Sequence, residues 1–160
     1  MCSFEKELKF IVSGELGRLA KWLRILGYDA SYFDSIRRGE LIIQSLREGK
    51  MILTRDSRLK DHRGLKMVYI KSDLVKDQLK QTIDELELKI RERDLFTRCV
   101  ICNRPLEDIA KKDAGQKVPP YVFRTQEHFR ECTICGRIYW AGTHWNNVKK
   151  FIASLGALKK

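Results

Sequence analysis

Four cysteines in the last third of the chain restrict its fold more than any other feature. They form two Cys-x2-Cys pairs, Cys99 with Cys102 and Cys132 with Cys135. Two intervening residues let both sulfurs of a pair turn toward one ion, and two pairs complete the closed tetrahedral shell that structural Zn²⁺ prefers. Disulfides are typical of secreted proteins, and a redox Cys-x-x-Cys is expected to open a helix after a strand, which neither pair does. The pattern therefore predicts a structural zinc site.

The rest of the sequence alternates between strand-like and helix-like patterns. The predicted strands cover residues 8–12, 28–33, 50–54 and 66–70. The predicted helices cover residues 15–26, 40–48 and a long segment from Ser72 or Asp73 through Ile90, with a short final helix that contains Val148, Phe151, Ile152 and Leu155. This alternation predicts an α/β fold with a mostly parallel sheet and helices on both faces.

The alternation of strand-like and helix-like patterns ends after Arg93, and the two cysteine pairs follow it. This change predicts two domains. Residues 1–94 would form the α/β domain, and residues 95–160 a small zinc-binding module with the final helix. The net charge of +11 favours a polyanionic partner, most simply a nucleic acid. No apolar run approaches the length of a membrane span, and the first residues lack the apolar stretch of a signal peptide, so a cytoplasmic protein without membrane contact is expected.

Parallel sheets bind ligands beyond the carboxyl ends of their strands, which directs attention to Ser13, Asp34 and Asp56. Asp56 is either the N-cap of a helical turn or a ligand for Mg²⁺ or Mn²⁺, and the spacing favours neither. Glu40 either complements a helix dipole or supplies a second ligand. Asp77 lies on the polar side of the long helix. Its position alone predicts a solvent-exposed surface residue.

Several basic residues are candidates for contacts with a phosphate backbone. Arg18, Lys21 and Arg24 fall on the polar side of the first helix, where they either follow phosphates or form a solvated face. His144 lies in an aromatic stretch beside the last cysteine pair. It is a candidate acid–base group, and the rings around it either stack on unpaired bases or cover a small core.

Several motifs, taken in order, resemble the Mut-seven C-terminal ribonuclease family, which joins a PIN-like nuclease domain to a zinc ribbon. They are FIVSGELGRLAKWLRILGYDA, EGKMILTRD, CVICNRPL, VPPYVF and CTICGRIYWAGTHW. The resemblance runs from about Lys9 to about Val148 and implies a PIN-like fold, RNA as substrate and a Mg²⁺ or Mn²⁺ ion. It implies that Asp56 is a metal ligand, that Glu40 and Asp77 are acidic site positions, and that the four cysteines bind zinc.

The sequence departs from that family at two places. Ser13 stands where the family usually has aspartate, and Arg37 and Arg38 stand where it tends to be acidic. Both changes remove negative charge from the predicted site. The site's affinity for a metal ion should therefore fall. Its affinity for RNA phosphates, to which Arg55 is also expected to contribute, should rise. Glu15 lies two residues further on, and because that shift reorients its side chain it is not expected to replace the lost carboxylate.

Two functions therefore remain open, with a third less favoured. The first is a metal-dependent ribonuclease whose site is weakened by Ser13. The second is an RNA-binding protein, associated with a ribosome or another ribonucleoprotein particle, whose nuclease site no longer cleaves. The third is a protein-interaction module held together by zinc. The sequence indicates no oligomeric state.

Overall fold

A four-stranded parallel sheet forms the centre of the protein in the computed structural model, which describes residues 8–34 and 37–159. The strands are β1 Lys9–Ser13, β2 Asp29–Phe33, β3 Met51–Thr54 and β4 Met67–Tyr69. Their order is β2-β1-β3-β4, and each neighbouring pair is parallel. The predicted α/β class and parallel sheet are confirmed.

Three helices follow the strands in the predicted alternation. They are α1 Gly17–Ile25, which a single 3-10 turn precedes, α2 Arg38–Glu48 and α3 Val75–Glu85. The chain leaves α1 through Gly27 at φ +92° and leaves α2 through Gly49 at φ +64°. Both values lie in the left-handed region that glycine adopts without a steric penalty, which is why the two glycines mark helix ends.

The sheet is buried on both faces because successive side chains of a strand point to opposite sides. Phe10 and Val12 of β1 enter the larger core, which also contains the apolar faces of α1 and α3. Ile11, between them in sequence, enters a smaller core with Leu41 of α2. Helices therefore cover both faces, as the alternation predicted.

The end of α3 differs from the sequence expectation. The apolar spacing predicted one helix through Ile90, but α3 ends at Glu85 and Glu87 adopts a left-handed φ of +49°. Ile90 lies in β5 Ile90–Arg91, which pairs in parallel with β9 Leu158–Lys159. Ile90 is still fully buried in the larger core, so burial and not helical geometry explains its apolar spacing.

The C-terminal part is built on a three-stranded antiparallel sheet of β6 Glu107–Ile109, β7 Phe129–Glu131 and β8 Ile138–Trp140. Two short helices, α4 Lys111–Ala114 and α5 Pro120–Thr125, lie in the long β6–β7 connection. The last helix is α6 Thr143–Ser154, whose apolar side packs into the larger core. The division into domains at residue 94 stays a prediction.

None of the helices in the described ranges is both long enough and apolar enough to cross a membrane.

Candidate metal centre and carboxyl-edge cleft

The two cysteine pairs lie in matching hairpin turns, which we call the first knuckle (residues 99–104) and the second knuckle (residues 132–137). In each, the first cysteine's amide donates to the carbonyl five residues on, at 2.8 Å and 3.0 Å. The residue after each second cysteine has a positive φ, +61° at Asn103 and +69° at Gly136. The same local geometry therefore presents both pairs to one point.

The four cysteine sulfurs form a group that can hold a metal ion, since all lie within 4.8 Å of one another. Burial raises the pKa of the Cys99 thiol, but hydrogen bonds from Tyr139 and from the amides of Cys102 and Ile101 outweigh it and lower that pKa to about 6. The thiolate is the form that binds metal. Four such ligands leave no open coordination position for a substrate.

A second site lies at the carboxyl edge of the parallel sheet. A cleft of about 680 Å³ opens beyond the ends of β1, β2 and β3, and we call it the carboxyl-edge cleft. It brings together carboxylates and guanidinium groups from distant parts of the chain. Its charged lining residues are Glu15, Asp34, Asp56, Arg38, Arg55 and Arg58. Ser13 lines it too, at the end of β1.

Glu15 provides the carboxylate that Ser13 lacks. The 3-10 turn Gly14–Leu16 brings its side chain back over the strand ends. Its Oε1 atom accepts hydrogen bonds from Ser13 Oγ at 2.6 Å, the Arg55 amide at 2.9 Å and Thr54 Oγ1 at 3.2 Å. Burial raises the pKa of Glu15, but these hydrogen bonds outweigh it and the pKa lies below the usual value. Glu15 is thus ionised above the ends of β1 and β3.

Asp56 performs the capping role and is also held by two arginines. Its Oδ1 accepts from the Arg58 amide at 3.1 Å and caps the turn Ser57–Leu59. Arg58 Nε lies 2.8 Å from Oδ1, and Arg38 Nε lies 2.8 Å from Oδ2. The hydrogen bonds from Arg58 are the main reason that the pKa of Asp56 is lowered. Both carboxylate oxygens therefore face guanidinium groups.

The other two acidic residues predicted for the site do not line this cleft. Glu40 lies in the first turn of α2, exposed, and forms an ion pair with Arg37 at 2.9 Å. Asp77 is exposed on α3 and accepts a hydrogen bond from Ser72 at 3.1 Å.

Carboxylate oxygens are the ligands that Mg²⁺ and Mn²⁺ prefer, but the carboxylates of this cleft do not converge on one position. Within the described ranges, the four cysteines are the only group of three or more potential ligands whose atoms come within 4.8 Å of one another. Ligand oxygens about 2.1 Å from one Mg²⁺ must lie closer together than that. Three protein ligands from the described ranges therefore do not converge in the cleft, and a Mg²⁺ ion there would depend on one or two carboxylates together with waters and substrate phosphates.

The predicted RNA-contacting residues separate into exposed and buried groups. Arg18 and Lys21 are exposed on α1, and His144 is exposed on α6 beside the Phe96 ring. Arg24 corrects the expectation of an exposed face, because its side chain is buried at 7% exposure. Its Nε donates to Ala30 O at 2.8 Å, and its Nη1 donates to carbonyls of the first knuckle at 2.8 Å and 3.0 Å.

Comparison with known proteins gives one result for the whole chain. No curated protein matches the sequence. A family model described as the Mut7-C RNAse domain matches residues 8–152, nearly the entire chain. The protein that carries this fold, the four-cysteine group and the carboxyl-edge cleft therefore belongs to the Mut7-C RNAse domain family.

Proposed function

We propose that the protein binds RNA in the carboxyl-edge cleft and holds its phosphates with arginines, where a nuclease would hold a metal ion. The observation that carries this proposal is the engagement of Asp56 by Arg38 and Arg58. Membership of an RNAse domain family makes RNA the natural ligand, and the net charge of +11 favours a polyanion.

The arginines are suited to phosphate. Guanidinium groups bind phosphate oxygens through two parallel N–H donors, and they repel cations. Arg38 and Arg58 keep 45% and 67% of their side-chain surface exposed while paired with Asp56, so their other N–H groups remain accessible. Arg55 adds a third guanidinium to the cleft lining, and it forms an ion pair with Asp73.

The test measures binding of single-stranded RNA by fluorescence anisotropy, without added Mg²⁺ or Mn²⁺, as a function of salt. The Arg38→Ala/Arg58→Ala variant should bind about tenfold more weakly, because two charge-assisted contacts are lost. Its salt dependence, as the slope of log K against log salt, should be shallower by about 1.4, since each lost contact with single strands removes about 0.7. The matched control is Arg47→Ala/Arg63→Ala, which removes the same charge from exposed positions outside the cleft. Equal losses in both variants would contradict a site in this cleft.

A second candidate function is a metal-dependent ribonuclease, and the position of Glu15 favours it. Its carboxylate lies where β1 and β3 end, so the site has kept a negative charge despite Ser13. This function requires RNA cleavage that depends on Mn²⁺ or Mg²⁺ and is lost in Glu15→Gln and in Asp56→Asn. Asp84→Asn is the control, because Asp84 is exposed on α3 and lies outside the cleft. Chelator-sensitive cleavage with this pattern overturns binding without turnover as the function.

We further propose that the four-cysteine group holds one structural Zn²⁺. Closed tetrahedral thiolate coordination is the arrangement that zinc prefers, and it holds a small module whose own apolar core is limited. Reduced thiols at such a site agree with the expected cytoplasmic location. Metal analysis of purified protein should give one zinc per chain.

A further inference from the structure

A second cleft lies beside the carboxyl-edge cleft, and we call it the α1 cleft. It has a volume of about 620 Å³ and is bounded by α1, the start of α3 and the first knuckle. The lining residues that matter here are Arg18, Lys21, Arg24, Tyr32, Val100 and Ile101. Glu15 lines both clefts, so the two open on either side of one side chain.

Two basic side chains of the α1 cleft, Arg18 and Lys21, make no polar contact that stabilises the described part of the fold. Neither Arg18 nor Lys21 has a hydrogen-bond or ion-pair partner within residues 8–34 and 37–159. Both are exposed and one turn apart on α1, so they lie on the same side of the helix. Arg38 and Arg58, by contrast, already face Asp56. Arg18 and Lys21 are therefore available for a phosphate of their own.

The same cleft presents an aromatic ring in a fixed position. Tyr32 is 43% exposed, and its hydroxyl donates to Gly14 O at 2.7 Å. The ring lies over Gly17, where a Cβ atom would come 3.4 Å from its Cε2. Exposed aromatic rings that are held in place stack on unpaired bases. Ile101, 48% exposed on the first knuckle, adds an apolar surface to the cleft wall.

The wall formed by the first knuckle is anchored to α1. Arg24 donates to the carbonyls of Val100 and Ile101 at 2.8 Å and 3.0 Å, and it donates to Ala30 O of β2 from its other edge. These bonds hold the metal-binding knuckle against the helix that carries Arg18 and Lys21. The cleft is thus a preformed groove, and binding there need not order a loop.

We propose that the α1 cleft is a second subsite for single-stranded RNA, in which Arg18 and Lys21 bind a phosphate and Tyr32 stacks on a base. The subsite continues the path of an RNA whose neighbouring phosphate lies in the carboxyl-edge cleft, so it rests on the proposed function. The ionised Glu15 between the clefts repels phosphates and keeps them on either side. A duplex would not fit this arrangement, because its bases are already stacked and paired.

The test compares the affinities of oligoribonucleotides of increasing length, from a dinucleotide upward, without added Mg²⁺ or Mn²⁺. The natural protein should gain affinity as the RNA becomes long enough to occupy both clefts. Arg18→Ala/Lys21→Ala should bind a dinucleotide normally but lose the gain with length, and its salt slope should be shallower by about 1.4. The control Arg47→Ala/Arg63→Ala should keep the gain with length.

Substitutions of Tyr32 test base stacking separately from phosphate binding, because they leave the charge of the protein unchanged. Tyr32→Leu should weaken binding of the longer RNAs about tenfold through lost stacking, with an unchanged salt slope. Tyr32→Phe loses the hydroxyl bond to Gly14 O but keeps the ring against Gly17, so it should bind far better than Tyr32→Leu. These outcomes would support the subsite.

Two results would overturn the subsite, and a third would overturn only its assignment to single strands. If Arg18→Ala/Lys21→Ala binds long RNA normally while Arg38→Ala/Arg58→Ala does not, the subsite is wrong and the proposed function stands. If no RNA binds at low salt, both fail together. Tighter binding of duplex than of single-stranded RNA would overturn the single-strand assignment alone.

Discussion

Restoring an aspartate at position 13 is expected to destabilise this protein, although it moves the sequence toward the usual pattern of its family. Ser13 Oγ lies 2.6 Å from Glu15 Oε1, so a carboxylate at position 13 would face a second carboxylate across a hydrogen-bond distance. Ser13 itself is only 7% exposed, which leaves the new side chain little room to turn away. Two carboxylates this close cannot both stay ionised without a large cost.

The cost of Ser13→Asp can be worked from that contact. Two like charges about 4 Å apart near a surface repel by about 4 kcal/mol, and the exposure of Glu15 reduces this to about 2 kcal/mol. The lost hydrogen bond to a charged acceptor adds about 1.5 kcal/mol. The free energy of unfolding should therefore fall by about 3–4 kcal/mol, which in a chain of 160 residues lowers Tm by about 10 °C.

The assay is a double-mutant cycle measured by urea unfolding at neutral pH, without chelator and without added Mg²⁺ or Mn²⁺. Glu15→Gln removes the repelling charge and keeps an amide oxygen for the Arg55 amide, so alone it should cost about 1 kcal/mol. In the Ser13→Asp/Glu15→Gln variant the Gln amide can donate to the new carboxylate. We expect the double variant to recover about 2–3 kcal/mol relative to additivity. Ser13→Ala, which loses the hydrogen bond without adding charge, should cost about 1.5 kcal/mol.

The pH dependence of Ser13→Asp gives an independent check. Repulsion raises the folded-state pKa of the carboxylate pair above its unfolded value, so the penalty is greatest at high pH and is relieved as one member protonates. Ser13→Asp should therefore approach the natural protein as pH falls from neutral toward the ordinary carboxyl range. Glu15 of the natural protein, whose pKa is lowered, contributes constant stability over that window and loses it only at lower pH. Additive effects at both positions, with no change in pH dependence, would refute the contact between Ser13 and Glu15.

Three further predictions concern stability. Cys102→Ser should release the metal and lower Tm, as should a strong chelator, with metal content measured in parallel; full metal retention would contradict the assignment. Arg24→Ala should cost about 3 kcal/mol in denaturant unfolding, because three carbonyls lose their donor, whereas the exposed Arg18→Ala should cost little. Gly27→Ala should cost about 3 kcal/mol, since its Cβ would lie 2.5 Å from the Asp94 carbonyl oxygen at φ +92°. Gly49→Ala, at φ +64° with nothing within 4 Å, should cost only about 1 kcal/mol in the same assay, and equal costs would contradict the clash.

The features that could be predicted from sequence are those that neighbouring residues determine. Strand and helix periods, the glycines after α1 and α2, and the paired cysteines each depend on a few adjacent positions. The order of the parallel strands was not predicted, because pairing joins residues far apart in the chain. The end of α3 was missed for a related reason: Leu86 and Ile90 keep helical spacing while facing one core from a turn and a strand.

Arg24 shows the limit of helix periodicity most directly. The pattern of α1 separates a polar side from an apolar side, but it carries no information about which element covers the polar side. In the structure the first knuckle lies there, and its carbonyls accept from the guanidinium. An arginine that local sequence places in solvent is therefore buried by residues 76 and 77 positions away.

The charge of the carboxyl-edge cleft depends on Arg38 as well as on position 13. Relative to the aspartate that is usual in the family, Ser13 removes a carboxylate from the end of β1. Glu15 places a carboxylate at the ends of β1 and β3 instead. With Asp34 and Asp56 the cleft has as many carboxylates as guanidinium groups, so its formal charge is balanced. Arg38, on α2, contributes one of the three guanidinium groups and contacts Asp56 at 2.8 Å. Replacing Arg38 therefore shifts the cleft toward a cation, whereas replacing Ser13 by aspartate mainly strains the contact with Glu15.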